Sequence, residues 1–257
     1  MDIFALNMTM SKELAKVPAI TLGFWVIKIL ATTLGETGGD AVSMSMNLGY
    51  LLSTGIFMVI FVVAVFAQIK ARGFHPFLYW ATIIASTTVG TTLADFATRS
   101  LGIGYTGGST LLLIFLLIAL FTWHRTLGRI DVASITTPKA ELFYWLTIMF
   151  SQTLGTALGD WTADTAGLGY LGAATIFAAL LLGAAALYVF TRISHTILFW
   201  VAFVLTRPLG AVVGDFLDKP IANGGLELSR YAATAVLFSA IIMLILILPN
   251  RPAQRPH

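Results

Sequence analysis

The segment Phe24–Asp40, FWVIKILATTLGETGGD, returns three times without a gap. Its echoes are YWATIIASTTVGTTLAD from Tyr79, YWLTIMFSQTLGTALGD from Tyr144 and FWVAFVLTRPLGAVVGD from Phe199. Every copy opens on an aromatic and a tryptophan (Trp25, Trp80, Trp145, Trp200). Each then carries a glycine (Gly35, Gly90, Gly155, Gly210) and, five residues on, an aspartate (Asp40, Asp95, Asp160, Asp215). Glycine returns nine residues after each aspartate, as Gly49, Gly104, Gly169 and Gly224, with tyrosine next in the first three copies. The tryptophans lie 55, 65 and 55 residues apart, so the two halves repeat at 120. Such self-similarity fixes architecture before any other signal, and here it points to two successive duplications of a two-helix unit.

The composition supplies the solvent for that unit. Of 257 residues, 58% are apolar and 11% charged, with a mean hydropathy of +0.88. A soluble chain is about a quarter charged, so a soluble enzyme, a nucleic-acid-binding domain and a disordered chain are excluded. The absence of cysteine excludes disulfides, thiolate metal sites and cysteine nucleophiles. Apolar stretches long enough, or nearly so, to cross a bilayer run over Val17–Asp40, Tyr50–Gln68, Phe74–Asp95, Ser109–Trp123, Glu141–Asp160, Leu171–Thr191, His195–Asp215 and Ala232–Pro249. The fourth is short unless it borrows Gly107 and Gly108. The expected fold is an all-α integral membrane protein. Eight transmembrane helices form one domain over 1–257, as parallel repeats at about 20–72, 74–130, 140–193 and 195–250. Pseudo-fourfold, two-by-two symmetry about the membrane normal can enclose a central pathway; an off-axis bundle without a pore is the plainer alternative.

The loops set an orientation. One side holds Lys12, Lys16, Lys70, Arg72, Arg125, Arg129, Lys139, Arg192, Arg251 and Arg255, the other only Arg99, Lys219 and Arg230. Basic loops stay inside, which places both termini in the cytoplasm. Trp80, Trp123, Trp145 and Trp200 are then expected at the inner interface. Residues 1–16 lack a cleaved-signal pattern.

On a helix, Gly35/Gly39, Gly90/Ala94, Gly155/Gly159 and Gly210/Gly214 form small-residue pairs that let backbones approach closely in lipid. An adjacent stripe carries Thr33, Glu36 and Asp40, then Thr88, Thr91 and Asp95, then Thr153, Thr156 and Asp160, and lastly Pro208, Ala211 and Asp215. Hydroxyls and carboxylates are hard donors that replace a cation's hydration water. Helix capping is the alternative role for the aspartates, although a carboxylate at a helix C-terminus opposes the macrodipole. Lys28 and Arg207 are the singular charges: structural counter-ions to the acids, or working parts such as a tethered cation or gate. Pro208 is expected to open the seventh span. Asp160 and Asp164 either begin an outer cation vestibule or form a solvated loop face. The scattered histidines and the lack of HExxH, Gly-x-Ser-x-Gly or phosphate-loop elements argue against a membrane enzyme or an ATP-driven pump.

The Thr-x-Gly-x-x-x-[Gly/Ala]-Asp core and the following Gly-Tyr resemble a family of bacterial membrane-anchored proteins built from a two-helix repeat of unknown function. The resemblance covers about residues 20–250, and the fourth copy departs from it with Arg207-Pro208 and Gly224-Gly225. It implies architecture and a bacterial inner membrane, and no substrate. A looser similarity links Glu36-Thr-Gly-Gly-Asp40 to manganese and calcium exporters with Glu-x-Gly-Asp helices.

The expected function is transport of a small cation, a divalent metal such as manganese, on an ion gradient or passively. The metal ligands would be Glu36, Asp40, Asp95, Asp160 and Asp215, with Thr33, Thr88, Thr91, Thr153 and Thr156 in support. Proton coupling follows if the acids converge, because like charges held together favour proton uptake. No cofactor, nucleic acid or catalytic activity is expected; the partners are the lipid bilayer and the cation, and oligomeric state stays open. Two alternatives remain: a non-transporting scaffold or sensor, and a carrier of an anionic solute held by Lys28, Arg99 and Arg207.

Overall fold

The computed structural model describes residues 16–128, 130 and 137–253. Among these, eight long α-helices stand in order and no strand occurs: α1 (Leu22–Asp40), α2 (Gly49–Lys70), α3 (Pro76–Asp95), α4 (Gly104–Leu127), α5 (Pro138–Asp160), α6 (Gly169–Phe190), α7 (His195–Asp218) and α8 (Arg230–Ile247). Local chemistry sets the starts. Thr21 caps α1 by accepting from Phe24 N–H, Thr137 caps α5 by accepting from Ala140 N–H, and Pro76 and Pro138 open α3 and α5, where a missing N–H costs nothing.

The odd helices form a closed ring, α1 against α3, α3 against α5, α5 against α7 and α7 against α1. The even helices lie outside it, and each rests on the first helix of the next repeat: α2 on α3, α4 on α5, α6 on α7, and α8 back on α1. The chain ends meet beside that closure, where Ala19 N–H donates to Arg251 C=O and Ala253 N–H to Val17 C=O.

Burial separates the layers. Only 11–22% of the apolar windows of α2, α4, α6 and α8 is buried, against 72% for α3 and 67% for α7. Six helices (α2, α3, α4, α6, α7 and α8) are long and apolar enough to cross a membrane. α1 falls short because Lys28 and Glu36 lower its hydropathy, and α5 because Gln152 and its serine, threonines, tyrosine and tryptophan do. Their ring position explains this, since a helix shielded by neighbours need not be apolar all round.

The ring closes on the repeat glycines. A Cβ on Gly35 would overlap the Thr87 side chain, one on Gly155 would stand 2.5 Å from Arg207 Cγ, and one on Gly210 would overlap Thr32. On Gly90 it would lie 3.1 Å from Gln152. In every case the glycine of one helix receives the residue three before the glycine of the next, so the contact is cyclic and the inner helices are parallel.

Several expectations change. α4 spans Gly104–Leu127 and is not short, because Gly104 turns into the helix from the left-handed region (φ +64°). α7 stays helical through Pro208. Trp80, Trp123 and Trp145 are buried (1–2% exposed) and pack in the core instead of anchoring at an interface. Lys12, Arg129 and Arg255 lie outside the described residues. One feature was not legible: after Asp40, Asp95 and Asp160 the helix widens into a π turn, Ala41–Ser45, Phe96–Ser100 and Trp161–Thr165.

Filling the glycine contacts should cost stability where substitution elsewhere does not. Gly35→Ala and Gly210→Ala are expected to destabilise by about 1–3 kcal/mol through overpacking. Gly183→Ala, whose Cβ would meet nothing within 4 Å, should be neutral or gain up to about 1 kcal/mol in helix propensity. Melting curves in detergent check this.

Candidate functional site

Because a helix turns 100° per residue, positions four apart keep nearly one face. The faces that meet on the ring axis read Phe24-Lys28-Thr32-Glu36-Asp40, Tyr79-Ile83-Thr87-Thr91-Asp95, Tyr144-Ile148-Gln152-Thr156-Asp160 and Phe199-Phe203-Arg207-Ala211-Asp215. All twenty are buried, none more than 8% exposed. Stacked about 6 Å apart by helical rise, they make five layers along the axis.

At the tryptophan end the first layer is aromatic. Tyr79 and Tyr144 bring their hydroxyls within 3.4 Å, and Phe24 packs against Phe199 and Trp80. The second layer is Lys28 with Ile83, Ile148 and Phe203. Lys28 Nζ stands 4.2 Å from the centre of the Phe203 ring and has no hydrogen bond. A cation over an aromatic face recovers part of its lost hydration. No carboxylate pairs with Lys28 among the described residues.

Arg207 fills the third layer and joins all four inner helices. Its guanidinium donates to Gln152 C=O (3.2 Å), Thr32 C=O (3.3 Å) and Thr87 C=O (3.4 Å), to Thr91 Oγ1 (2.7 Å) and to Glu36 Oε2 (3.1 Å). Three carbonyls and one carboxylate suit a planar fork of donors that never loses its proton. Thr91 Oγ1 in turn has Gly35 C=O and Glu36 Oε2 within 3.1 Å as acceptors for its single proton.

The fifth layer is the aspartate ring. Arg99, one turn beyond Asp95, reaches Asp95 Oδ1 (3.1 Å) and Asp160 Oδ2 (3.4 Å). Lys219, one turn beyond Asp215, reaches Asp215 Oδ1 (3.0 Å) and Asp40 Oδ2. The two cations are 120 residues apart, the spacing of the half-repeat, so fourfold geometry becomes twofold in charge. Arg230 adds contacts to Asp218 (3.2 Å) and Asp40 (4.0 Å). Just outside Asp215, burial alone would lower the Lys219 pKa, yet Asp215, Asp40 and Asp218 more than offset it and hold the ammonium well above its ordinary value. Above the ring opens a cavity of about 660 Å³ lined by Met44, Arg99, Tyr105, Asp164, Tyr170 and Lys219, among others. Tyr105 accepts from Arg99 (3.2 Å) and donates to Asp164 (2.8 Å).

Glu36 and the four aspartates are thus brought to one axis, with Glu36 one layer below. Glu36, Asp160 and Asp215 offer oxygens within 4.8 Å of one another, as do Asp40, Asp215 and Asp218. Asp160 and Asp215 thus stand beside Glu36 although they come from other helices. Thr91 joins the acids and Thr156 shares its layer. Thr33, Thr88 and Thr153 do not join them: each hydroxyl donates to the carbonyl four residues back on its own helix (2.8–3.0 Å). Residues 32 and 33 cannot both face the axis, and the glycine contacts select Thr32, Thr87 and Gln152. The signal that could have found them is Arg207, which stands in that register and replaces a threonine.

Six buried carboxylates (Glu36, Asp40, Asp95, Asp160, Asp215, Asp218) face four basic partners, Arg99, Arg207, Lys219 and Arg230. Oδ1 of Asp40 and of Asp160 has neither a hydrogen bond nor an ion-pair partner among the described residues. A buried ion without full compensation costs several kcal/mol, so this surplus is a standing demand for protons or cations.

An apolar outer layer around a polar, charge-bearing axis defines a multi-pass membrane protein assembled from internal repeats. The chain belongs to the family of the Repeat of Unknown Function DUF347, whose profile matches residues 23–74, 78–128, 143–194 and 198–249. No curated protein and no solved structure matches it.

Removing Arg207 should expose its role. Arg207→Ala leaves Glu36 buried without its partner, and a loss of about 3–5 kcal/mol is expected. Arg207→Met with Glu36→Gln should recover part of it, read by thermal or denaturant unfolding.

Proposed function

We propose that the protein is a membrane transporter of a small cation, a divalent metal of the magnesium, calcium and manganese class, and not an enzyme. The observation that carries the reading is the convergence of five acids, Glu36, Asp40, Asp95, Asp160 and Asp215, on one buried axis where four basic groups, Arg99, Arg207, Lys219 and Arg230, pair with them. All-oxygen donor sets suit hard cations. Protons serve the same surplus carboxylates, so coupling to a proton gradient is part of the proposal. The cavity over the aspartate ring gives access from one end, while the aromatic, Lys28 and Arg207 layers close the other. In this reading all eight helices cross the bilayer, α1 and α5 included. The tryptophan end, with Lys16, Lys70, Arg72, Arg125, Lys139, Arg192 and Arg251, then faces the cytoplasm of a bacterial inner membrane.

The anion reading loses its donors: Arg207 spends its guanidinium on the bundle, Arg99 on two aspartates and two tyrosines, and Lys28 lies beneath Arg207. The scaffold reading keeps one observation in its favour, that Arg207 blocks the axis with bonds to every inner helix.

Flux of manganese or calcium into proteoliposomes tests the proposal. Asp160→Asn and Asp215→Asn, which group with Glu36, are expected to lower flux at least tenfold, and Asp40→Asn and Asp95→Asn less. Wild-type flux in all four, with only stability lost, would favour the scaffold. Since the chain has no cysteine, single cysteines at Arg72 and Asn223 should label from opposite faces of the membrane, inner and outer respectively.

A further inference from the structure

The aspartate ring has four gaps between neighbouring helices, and the residue one turn beyond each aspartate governs the gap to the next repeat. Arg99 bridges Asp95 to Asp160, and Lys219 bridges Asp215 to Asp40. The equivalent residues for the other two gaps are Met44, between Asp40 and Asp95, and Asp164, between Asp160 and Asp215. Two gaps therefore lack a built-in cation, and one of them, between Asp160 and Asp215, is overlooked by a further acid. The same gap receives Glu36 from the layer below, with Glu36, Asp160 and Asp215 oxygens within 4.8 Å of one another. Its half-turn mate has no such acid, because the residue 120 positions after Glu36 is Thr156.

We infer that the chain holds one divalent cation between Glu36, Asp160 and Asp215, at the gap that Asp164 overlooks. The inference rests on the cation-transport reading and narrows it from a ring of acids to one position. Oxygen ligands 2.0–2.6 Å from a central ion lie within about 5 Å of each other, which this triad satisfies. Asp160 gives Oδ2 to Arg99 and keeps Oδ1 shielded from solvent with no hydrogen bond. The other triad, Asp40, Asp215 and Asp218, is already bridged from within the chain by Lys219, which reaches both Asp40 and Asp215, whereas Arg207, Arg99 and Lys219 each reach only one member of the first triad. Asp164 is exposed in the cavity wall, held by Tyr105 (2.8 Å), where it can receive an ion and pass it one turn down to Asp160. On this account Arg99 and Lys219 are permanent cations occupying two equivalent gaps, and the transported ion takes the position the repeats leave for it.

The symmetry supplies the test. Asp164→Arg gives the third repeat the basic residue that Arg99 provides in the second, on an exposed position that should tolerate it. Manganese binding to the full-length purified chain would be measured by titration and by metal-dependent melting, at fixed pH and ionic strength. Wild type is expected to bind one ion, with the dissociation constant raised at least tenfold in Asp164→Arg and in Asp160→Asn. Asp218→Asn, in the triad that Lys219 fills, should stay within about threefold of wild type. The metal-free melting temperature reports whether each variant is folded. Unchanged binding in a folded Asp164→Arg, or loss confined to Asp218→Asn, would overturn this site and leave cation transport standing. No response of the wild type to manganese, calcium or magnesium would overturn both.

Discussion

Four helices stand close enough around one axis that a methyl group at the repeat glycine has no room. Everything else follows from that approach. Backbones in lipid gain nothing from burying apolar surface against each other, so tight van der Waals contact and interhelical hydrogen bonds must hold them. Here the contact is glycine against threonine, glutamine or arginine, and hydroxyls cross the seam: Thr87 to Ala31 C=O and Thr32 to Thr206 C=O, at 3.1–3.2 Å. The closeness confines the axis to one side chain per helix per turn. Polar groups placed there are stripped of water and must find each other.

The layers differ in how they solve that problem. Arg207 is satisfied by carbonyls from three other helices, which makes it a rivet at mid-bundle. Lys28 has only an aromatic face. The aspartates are served two at a time by Arg99 and Lys219 and remain in excess. Strength therefore concentrates at the centre, and unmet charge at the end that opens to the cavity. That division fits the cation transport proposed above, with exchange at the aspartate end and a closed middle.

Much of this was legible in the sequence, because the repeat is strict where geometry is strict. Gly35 and its mates, and Asp40 and its mates, define both the ring contact and the charged layer by register alone. The phase of the polar stripe was not legible: Thr33 and Thr32 each keep helical spacing to Glu36, and only the helix-to-helix contact chooses Thr32. Nor could the π turns be read, since nothing in Phe96–Ser100 advertises a wider turn, yet Arg99 bridges Asp95 and Asp160 from within one. The tryptophans misled because an apolar sequence does not separate a lipid-facing ring from a buried one. Trp80 and Trp145 lie inside the bundle, while Trp25 and Trp200, in the same register of the other two inner helices, are only half-buried.

The outer helices carry a consequence for ancestry. Each rests on the repeat that follows, and the last, α8, returns to the first. A half-chain ending at α4 would have no inner helix of its own for α4 to cover, since α5 belongs to the other half. Such a half could satisfy its last helix only by lending it to a second copy and borrowing one in return. The duplicated chain therefore has the form of a fused, domain-swapped dimer, and fusion freed its two halves to diverge. Glu36 faces Thr156 across that former symmetry, and Lys28 faces Ile148; a homodimer could have had neither difference.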